Sequence, residues 1–177
     1  MPAVISNTSP LLYLYRIAVL EWLPTLCSDI WIPHAVVREL QEGQQKGYDV
    51  PVPGAYTWLQ VVEPQAVPSE WLALDLGAGE LAVLALALEH PQRVVLLDDS
   101  RARRIAQAAS LTVWGTLQVI LEAKAQGLTE CIAPHIDQLR AAGMWMSDAL
   151  RLRVLALAGE NPAERERSSQ ETAEGTY

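Results

Sequence analysis

The chain of 177 residues has only two cysteines, and it contains no long uncharged stretch. Cys27 and Cys131 lie far apart and show neither metal-ligand nor redox spacing, which argues against a disulfide framework and against a zinc site. No stretch of 18 or more residues is free of charged side chains, and no basic segment precedes an apolar run at the N-terminus. We therefore expect a soluble cytoplasmic protein without a membrane segment.

Basic residues are also scarce, since 13 Lys and Arg face 21 Asp and Glu and give a net charge of −8. Non-specific affinity for nucleic acids comes from neutralising phosphates with Lys and Arg, so this balance opposes broad nucleic-acid binding. The final polar segment, ENPAERERSSQETAEGTY, contains five Glu and two Arg and therefore accounts for part of the excess negative charge. If the remaining acids converge on one site, divalent cations bound there reverse the local field. The charge balance therefore disfavours a nuclease without excluding one.

Short apolar runs rich in β-branched residues alternate with longer helical patterns, which is typical of parallel strands joined by helices. Strands are predicted at residues 3–6, 30–33, 59–62, 94–97 and 111–114. Helices are predicted at residues 9–17, 19–25, 34–46, 78–90, 100–109, 115–126, 132–143 and 147–158. The pattern predicts a single α/β domain, a three-layer sandwich with a central parallel sheet, over residues 1–159. The polar tail, residues 160–177, is expected to be disordered.

Two junctions between a strand and a helix are unusually polar. One is Ser6-Asn7-Thr8-Ser9 after the first strand, and the other is Asp98-Asp99-Ser100 after the run VVLL. In open parallel sheets, ligands bind beyond the carboxyl ends of the strands, so these junctions are candidate site walls. The alternative is helix capping, because Asn, Ser, Thr and Asp all accept hydrogen bonds from the first N–H groups of helices. Capping explains two adjacent aspartates less well, since like charges repel and a bound cation would offset the repulsion.

Two glutamates can complete an acidic cluster with these junctions. Glu39 lies beside the apolar face of the helix HAVVRELQEG, and Glu80 follows the glycines of LDLGAG at a predicted helix start. Glycines allow close backbone approach, and a helix start favours negative charge. Hard cations such as Mg²⁺ and Mn²⁺ prefer carboxylate and amide oxygens, although each glutamate alone also suits an ordinary surface position.

The chain resembles PIN domains, in particular the short prokaryotic group related to VapC toxins. The order and approximate spacing of the acidic residues in that family are similar to those of Asn7, Glu39, Glu80 and Asp98-Asp99 here. The resemblance runs from about residue 4 to residue 128. It rests on the stretches VISNTSPLLYL, IPHAVVREL, LDLGAGELAVLALA and VVLLDDSRARRIA, followed by VWGTLQVILEAKAQGL.

The resemblance implies a Rossmann-like α/β/α fold and a Mg²⁺- or Mn²⁺-dependent endoribonuclease that cleaves RNA phosphodiester bonds. It also implies pairing with an antitoxin, as the toxin of a toxin–antitoxin pair, and a homodimer. The implied metal ligands are Asn7, Glu39, Glu80, Asp98 and Asp99, of which the four acids would be catalytic. The implied substrate contacts are Thr8, Ser9, Arg101 and Arg104, with Arg103 as a further candidate.

The chain departs from the family pattern at Asn7, where most active PIN nucleases have Asp. An amide oxygen coordinates a hard cation but brings no negative charge, so it lowers metal affinity and the activation of water. One alternative is therefore an inactive PIN-like module that binds RNA or a partner protein. Another is a phosphatase or small-molecule hydrolase, which ranks lower because Asn7 cannot serve as the nucleophilic carboxylate after the first strand.

Overall fold

The computed structural model describes residues 1–160, apart from the side chains of Leu72 and Ala73. Its five strands form one sheet in which each neighbouring pair is parallel. The strands are β1 (Ala3–Ser6), β2 (Asp29–Ile32), β3 (Leu59–Val61), β4 (Val94–Leu96) and β5 (Val113–Trp114). Their spatial order is β3-β2-β1-β4-β5. The predicted three-layer α/β/α fold with a central parallel sheet is confirmed.

The two central strands are buried on both faces. Val4, Ile5, Val95 and Leu96 expose none of their surface. Parallel strands covered by helices on each face need apolar side chains at successive positions, which is why β1 and β4 read as continuous apolar runs. The edge strand β3 is more exposed, and its sequence signal is correspondingly weaker.

Within residues 1–160 there are eight α-helices, and all but the second start and end within two residues of the predicted positions. The second starts at Leu23 and not at residue 19, because Leu20–Trp22 forms a 3₁₀ helix. The eight helices are α1 (Thr8–Arg16), α2 (Leu23–Leu26), α3 (His34–Gln45), α4 (Ala78–Glu89), α5 (Ser100–Ala108), α6 (Thr116–Ala125), α7 (Ala133–Ala141) and α8 (Asp148–Leu157). Short 3₁₀ helices lie at Leu20–Trp22, Pro53–Ala55 and Ser69–Leu74. The last two fall in segments that have no helical periodicity and were not predicted.

Helix α4 is the most buried of these helices, because every residue from Leu81 to Ala87 is buried. It packs against β1, β4 and helix α3, and α3 also packs against α1. A helix that is apolar on all sides belongs in the interior. This packing brings the first turn of α4 next to the middle of α3, so that residues 39 and 80 lie on neighbouring helices.

The sheet reverses its strand order at β1, which pairs with β2 on one side and β4 on the other. The backbone N–H of Asn7 donates a 3.1 Å hydrogen bond to the carbonyl of Leu96, so the carboxyl ends of β1 and β4 are tied together. Ligands of open α/β sheets bind at such a switch point. The topology therefore places both polar junctions at the same edge of the sheet.

The chain divides into two compact units, Met1–Val119 and a second unit that begins at Ile120. The predicted tail lies outside the described residues except for Glu160, which is buried within the second unit. The single domain expected over residues 1–159 stays a prediction. Within residues 1–160, no helix is both long and apolar enough to cross a membrane.

Candidate metal centre and adjoining cleft

Asn7 lies at the carboxyl end of β1, and its side chain does not cap α1. Its Nδ2 donates a 2.7 Å hydrogen bond to Oε1 of Glu80. Because the donor end of an amide must face the carboxylate, Oδ1 faces away from Glu80. Asn7 is 1% exposed, and its Oδ1 is buried with no hydrogen-bond donor among the described residues. The capping alternative is therefore wrong for Asn7, and a buried acceptor is left over.

Glu39 is held by two donors from different elements. Its Oε1 accepts a 2.8 Å hydrogen bond from the backbone N–H of Gly79, and its Oε2 accepts a short one from the hydroxyl of Thr8. Thr8 thus contacts Glu39, although the sequence had suggested a substrate contact for it. These two bonds fix the Glu39 carboxylate beside the first turn of α4.

Three side-chain oxygens surround the place where Gly79 lacks a Cβ. A Cβ built on Gly79 would lie 2.6 Å and 2.7 Å from the two carboxylate oxygens of Glu39 and 2.8 Å from Oδ1 of Asn7. Only glycine leaves this space open, because real Cβ atoms do not approach other heavy atoms so closely. Gly79 therefore maintains an oxygen-lined space between α3, α4 and the end of β1.

Glu80 closes the same space from the first turn of α4. A Cβ on Gly77 would lie 2.3 Å from Oε2 of Glu80 and 3.7 Å from Oε1 of Glu39, so the two carboxylates face the same backbone segment. Like charges that face one segment repel each other, and a cation bound between them would offset that repulsion.

The oxygens of Asn7, Glu39 and Glu80 fit a hard divalent cation. The buried Oδ1 of Asn7 lacks a donor, which costs about 1–3 kcal/mol if it stays unpaired. Coordination of a cation would satisfy that oxygen and offset the carboxylate repulsion, and carboxylate and amide oxygens are the ligands that Mg²⁺ and Mn²⁺ prefer. Within residues 1–160, no three His, Cys, Asp or Glu side chains converge in a metal-binding group, so this cluster depends on the amide of Asn7.

Asp98 directs its carboxylate toward the start of α6. Its Oδ1 accepts a 2.8 Å hydrogen bond from the backbone N–H of Thr116, and its Oδ2 accepts a 2.7 Å bond from the Thr116 hydroxyl. Burial raises the pKa of Asp98, and the bonds from Thr116 and the charge of Arg103 act in the opposite direction. Asp98 therefore does not cap α5, the helix that directly follows it, and its carboxylate binds the first residue of α6 instead.

Asp99 points elsewhere and caps α5. Its Oδ1 accepts hydrogen bonds of 2.9 Å and 2.8 Å from the backbone N–H groups of Arg101 and Ala102. The sequence left open which of the two aspartates turns inward. The structure directs Asp98 to Thr116 and places Asp99 in the wall of a cleft that also contains Glu80. A metal-binding role for either aspartate stays a prediction.

The cleft has a volume of about 390 Å³ and lies between the starts of α4 and α5. Its lining residues are Asp75, Leu76, Gly77, Glu80, Asp99, Ser100, Arg101 and Arg104. Two of the four predicted substrate contacts, Arg101 and Arg104, are therefore in its wall. Ser9 is half-buried in the first turn of α1 and is not among the lining residues.

Sequence reasoning missed three residues of this region. Gly79 supplies a donor and an open space, Thr116 binds Asp98, and Tyr13 has a pKa raised by burial and by the nearby charge of Asp98. Gly79 carried a signal in the motif LDLGAG, which the sequence reading used for Glu80 alone. Thr116 and Tyr13 carried none, because their contacts depend on how distant segments meet.

Comparison with models of known protein families found a match. A family model described as a PIN domain matches residues 3–160. PIN domains are generally nucleases, bind nucleic acids and typically use divalent metal ions. No curated protein sequence matches the chain significantly.

Proposed function

The chain belongs to the PIN-domain family, and we propose that it is a divalent-metal-dependent endoribonuclease that uses Mg²⁺ or Mn²⁺. The observation that supports this most is the set of oxygens from Asn7 and Glu39 around Gly79, with Glu80 bonded to Asn7. The arrangement combines two carboxylates with a buried amide oxygen that lacks a donor. Such a set suits a hard cation and lies at the switch point of the sheet.

Each residue of the cluster would have a distinct task. Asn7, Glu39 and Glu80 would hold the cation, and Asp98 and Asp99 are the further acids proposed for the centre. Thr8 and the N–H of Gly79 keep the Glu39 carboxylate in place, while Nδ2 of Asn7 does so for Glu80. A bound divalent cation supplies the Lewis-acid chemistry by which water cleaves a phosphodiester bond.

A second candidate function is a PIN-like module that binds RNA or a partner protein without cleaving it. The observation that favours it is the neutral amide of Asn7, because this side chain adds no negative charge and its N–H group donates to Glu80. A centre with two converging carboxylates binds a cation less strongly than one with three.

The test is cleavage of a mixed-sequence single-stranded RNA in Mn²⁺ by the purified protein, with calorimetry of Mn²⁺ binding alongside. A Glu39→Gln/Glu80→Gln double variant removes both converging charges with little change in shape. The matched control is Glu42→Gln, which removes an exposed glutamate from the same helix as Glu39. We also include an EDTA arm and a single-stranded DNA of the same sequence.

The proposal predicts cleavage by the wild type and by Glu42→Gln, and loss of cleavage in EDTA and in the double variant. A well-folded wild type that neither binds Mn²⁺ nor cleaves RNA would contradict it and favour the binding module. Equal cleavage of RNA and DNA would retain a metal-dependent nuclease but reject the assignment to RNA.

On the resemblance to VapC-related proteins, we also propose that this protein is a cytoplasmic toxin that forms a homodimer and is neutralised by an antitoxin. The expected outcomes are growth arrest on expression of the wild type, but not of Glu39→Gln/Glu80→Gln, and a light-scattering mass of two chains. A harmless wild type would count against the toxin role, and the mass of one chain would count against the dimer.

A further inference from the structure

The three arginines at the start of α5 have different surroundings. Arg103 donates a 2.8 Å hydrogen bond to the carbonyl of Leu97. Arg101 forms an ion pair of 2.7 Å with Oδ2 of Asp75 and donates 3.3 Å hydrogen bonds to the carbonyls of Leu74 and Asp75. Arg104 is exposed, lines the cleft and has no hydrogen bond or ion pair within the described part of the chain. Arg104 is therefore the arginine of this helix whose guanidinium remains available to a ligand.

Some of the charged side chains in the cleft wall already have partners within the protein. Asp75 is paired with Arg101, and Asp99 accepts the hydrogen bonds of two backbone N–H groups at the start of α5. Because Asp99 already occupies that helix terminus, an anion in the cleft cannot use those N–H groups and must bind a side chain. Glu80 lies in the same wall and is bonded to Asn7, so the cleft leads directly to the candidate metal centre.

We infer that this cleft is the subsite for one nucleotide of a single RNA strand, next to the scissile bond, and that Arg104 binds the phosphate of that nucleotide. This inference rests on the proposed function. The volume of about 390 Å³ lies near the lower end of the range of about 300–1,000 Å³ for ligand pockets, which suits one nucleotide. A guanidinium presents paired donors that match the oxygens of a phosphate.

Arg101 has a different role, as a positioning residue for the cleft wall. Asp75 adopts a left-handed backbone conformation with φ of 53°, which aspartate and asparagine reach more readily than most residues but less readily than glycine. The bonds from Arg101 to the Asp75 side chain and to the carbonyls of residues 74 and 75 stabilise this turn. Gly77 and Glu80 follow directly, so the turn sets the wall that leads to the metal centre.

The first experiment measures RNA affinity by fluorescence anisotropy, with Ca²⁺ replacing Mn²⁺ and salt varied, in the full-length protein. Arg104→Gln should weaken binding about tenfold. It should also make the slope of log affinity against log salt shallower by about 0.7, the value for one phosphate contact on a single strand. Arg104→Lys should restore part of the affinity, because lysine keeps the charge without the paired donors. The matched control is Arg153→Gln, which removes an exposed arginine of α8 and should change neither quantity.

The second experiment separates the positioning role of Arg101 from direct binding. Arg101→Gln and Asp75→Asn each break the ion pair, and asparagine still tolerates the left-handed conformation. Hydrogen exchange of the amides of residues 74–77 should become faster in both variants and stay unchanged in Arg104→Gln. The salt slope should be that of the wild type in Arg101→Gln, because its guanidinium does not contact the phosphate.

The outcomes distinguish the inference from the proposed function. If the wild type binds Mn²⁺ and cleaves RNA, but Arg104→Gln keeps wild-type affinity and salt slope, the subsite is wrong and the proposed function stands. If the wild type neither binds Mn²⁺ nor RNA, both are wrong. If Arg101→Gln made the slope of log affinity against log salt as shallow as Arg104→Gln does, the division of roles between the two arginines would be overturned.

Discussion

Asn7 and Glu80 lie 73 positions apart in the chain, yet Nδ2 of Asn7 donates a 2.7 Å hydrogen bond to Oε1 of Glu80. This bond joins the carboxyl end of β1 to the first turn of α4. It also sets the direction of the amide, so that the opposite atom, Oδ1, is buried near Gly79 and Glu39. An asparagine can therefore complete an oxygen cluster and keep a neighbouring carboxylate in place with the same side chain.

We predict that Asn7→Asp strengthens Mn²⁺ binding and lowers the stability of the metal-free protein. A third carboxylate raises cation affinity about tenfold, because a charged ligand replaces a neutral one. Without metal, the ionised aspartate cannot donate to Glu80 and adds a like charge, which lowers the free energy of unfolding by about 1–3 kcal/mol. Calorimetry with Mn²⁺ and thermal unfolding in EDTA measure the two effects, and unchanged or weaker Mn²⁺ binding would contradict the prediction.

We predict that Gly79→Ala abolishes Mn²⁺ binding in a protein that still folds. The added Cβ would lie within 2.8 Å of three oxygens of Asn7 and Glu39, so these side chains must move apart. Alanine also favours helical backbone relative to glycine, which limits the loss of stability. Mn²⁺ calorimetry and circular dichroism provide the readouts. The control is Gly54→Ala, whose Cβ meets nothing within 4 Å, and normal Mn²⁺ binding by Gly79→Ala would refute the role of this space.

We predict that Arg93→Gln destabilises the protein without affecting Mn²⁺ affinity. Arg93 is buried just before β4, pairs with Asp29 at the start of β2, and lies with its guanidinium carbon 3.2 Å from the ring centroid of Trp31. Breaking this pair costs about 2–4 kcal/mol, because Asp29 loses its partner and the cation–π contact disappears. Urea unfolding measures the loss. Since Arg93 and Asp29 lie at the amino ends of β4 and β2, a change in Mn²⁺ affinity would show unexpected coupling to the site.

We predict that Glu160→Gln removes stability that depends on pH. The Glu160 carboxylate accepts hydrogen bonds from Lys124, from the thiol of Cys131 and from the backbone N–H groups of Ile132 and Ala133 at the start of α7. Burial raises the pKa of Glu160, but these donors outweigh it and lower the pKa from 4.5 to about 2. The folded state therefore binds this proton less readily than the unfolded state does.

The sign of this effect defines the test. The contribution is fully present above pH 4.5, and it is lost as the pH falls toward 2, where Glu160 becomes protonated in the folded state as well. At pH 6 the variant should be less stable than the wild type by about 1–3 kcal/mol, and the difference should shrink at pH 3. Urea unfolding at both values measures it, with the exposed Glu130→Gln as the control. A difference that does not depend on pH would exclude the charge as its cause.

Much of the fold could be predicted because the periodicity of apolar residues reports local burial. The runs at residues 3–5 and 94–96 are apolar since both faces of these strands are covered, and residues 81–87 of α4 are apolar since that part of the helix lies in the interior. The 3₁₀ helix at Ser69–Leu74 was missed, because such short helices have too few turns to leave a periodic signal.

The candidate site was predictable as a set of residue types at strand and helix ends, and less so as a geometry. Asp98 and Asp99 are adjacent and chemically identical in the sequence, and only their partners distinguish them. Thr116, 18 positions away, binds both oxygens of Asp98, whereas Asp99 caps its own helix. Arg101 and Arg104 also differ only in their partners. Asp75, 26 positions from Arg101, forms an ion pair with Arg101 and not with Arg104.

The sequence by itself determined the alternation of strands and helices, the polar junctions and the acids available to a site, because these follow from composition and local periodicity. The tertiary structure decided where each polar side chain points: the amide of Asn7 toward Glu80, the carboxylate of Asp98 toward Thr116, and the guanidinium of Arg101 toward Asp75. The physical reason is that a side chain at the end of a strand or helix takes its direction from its hydrogen-bond partner, and here those partners are contributed by distant parts of the chain.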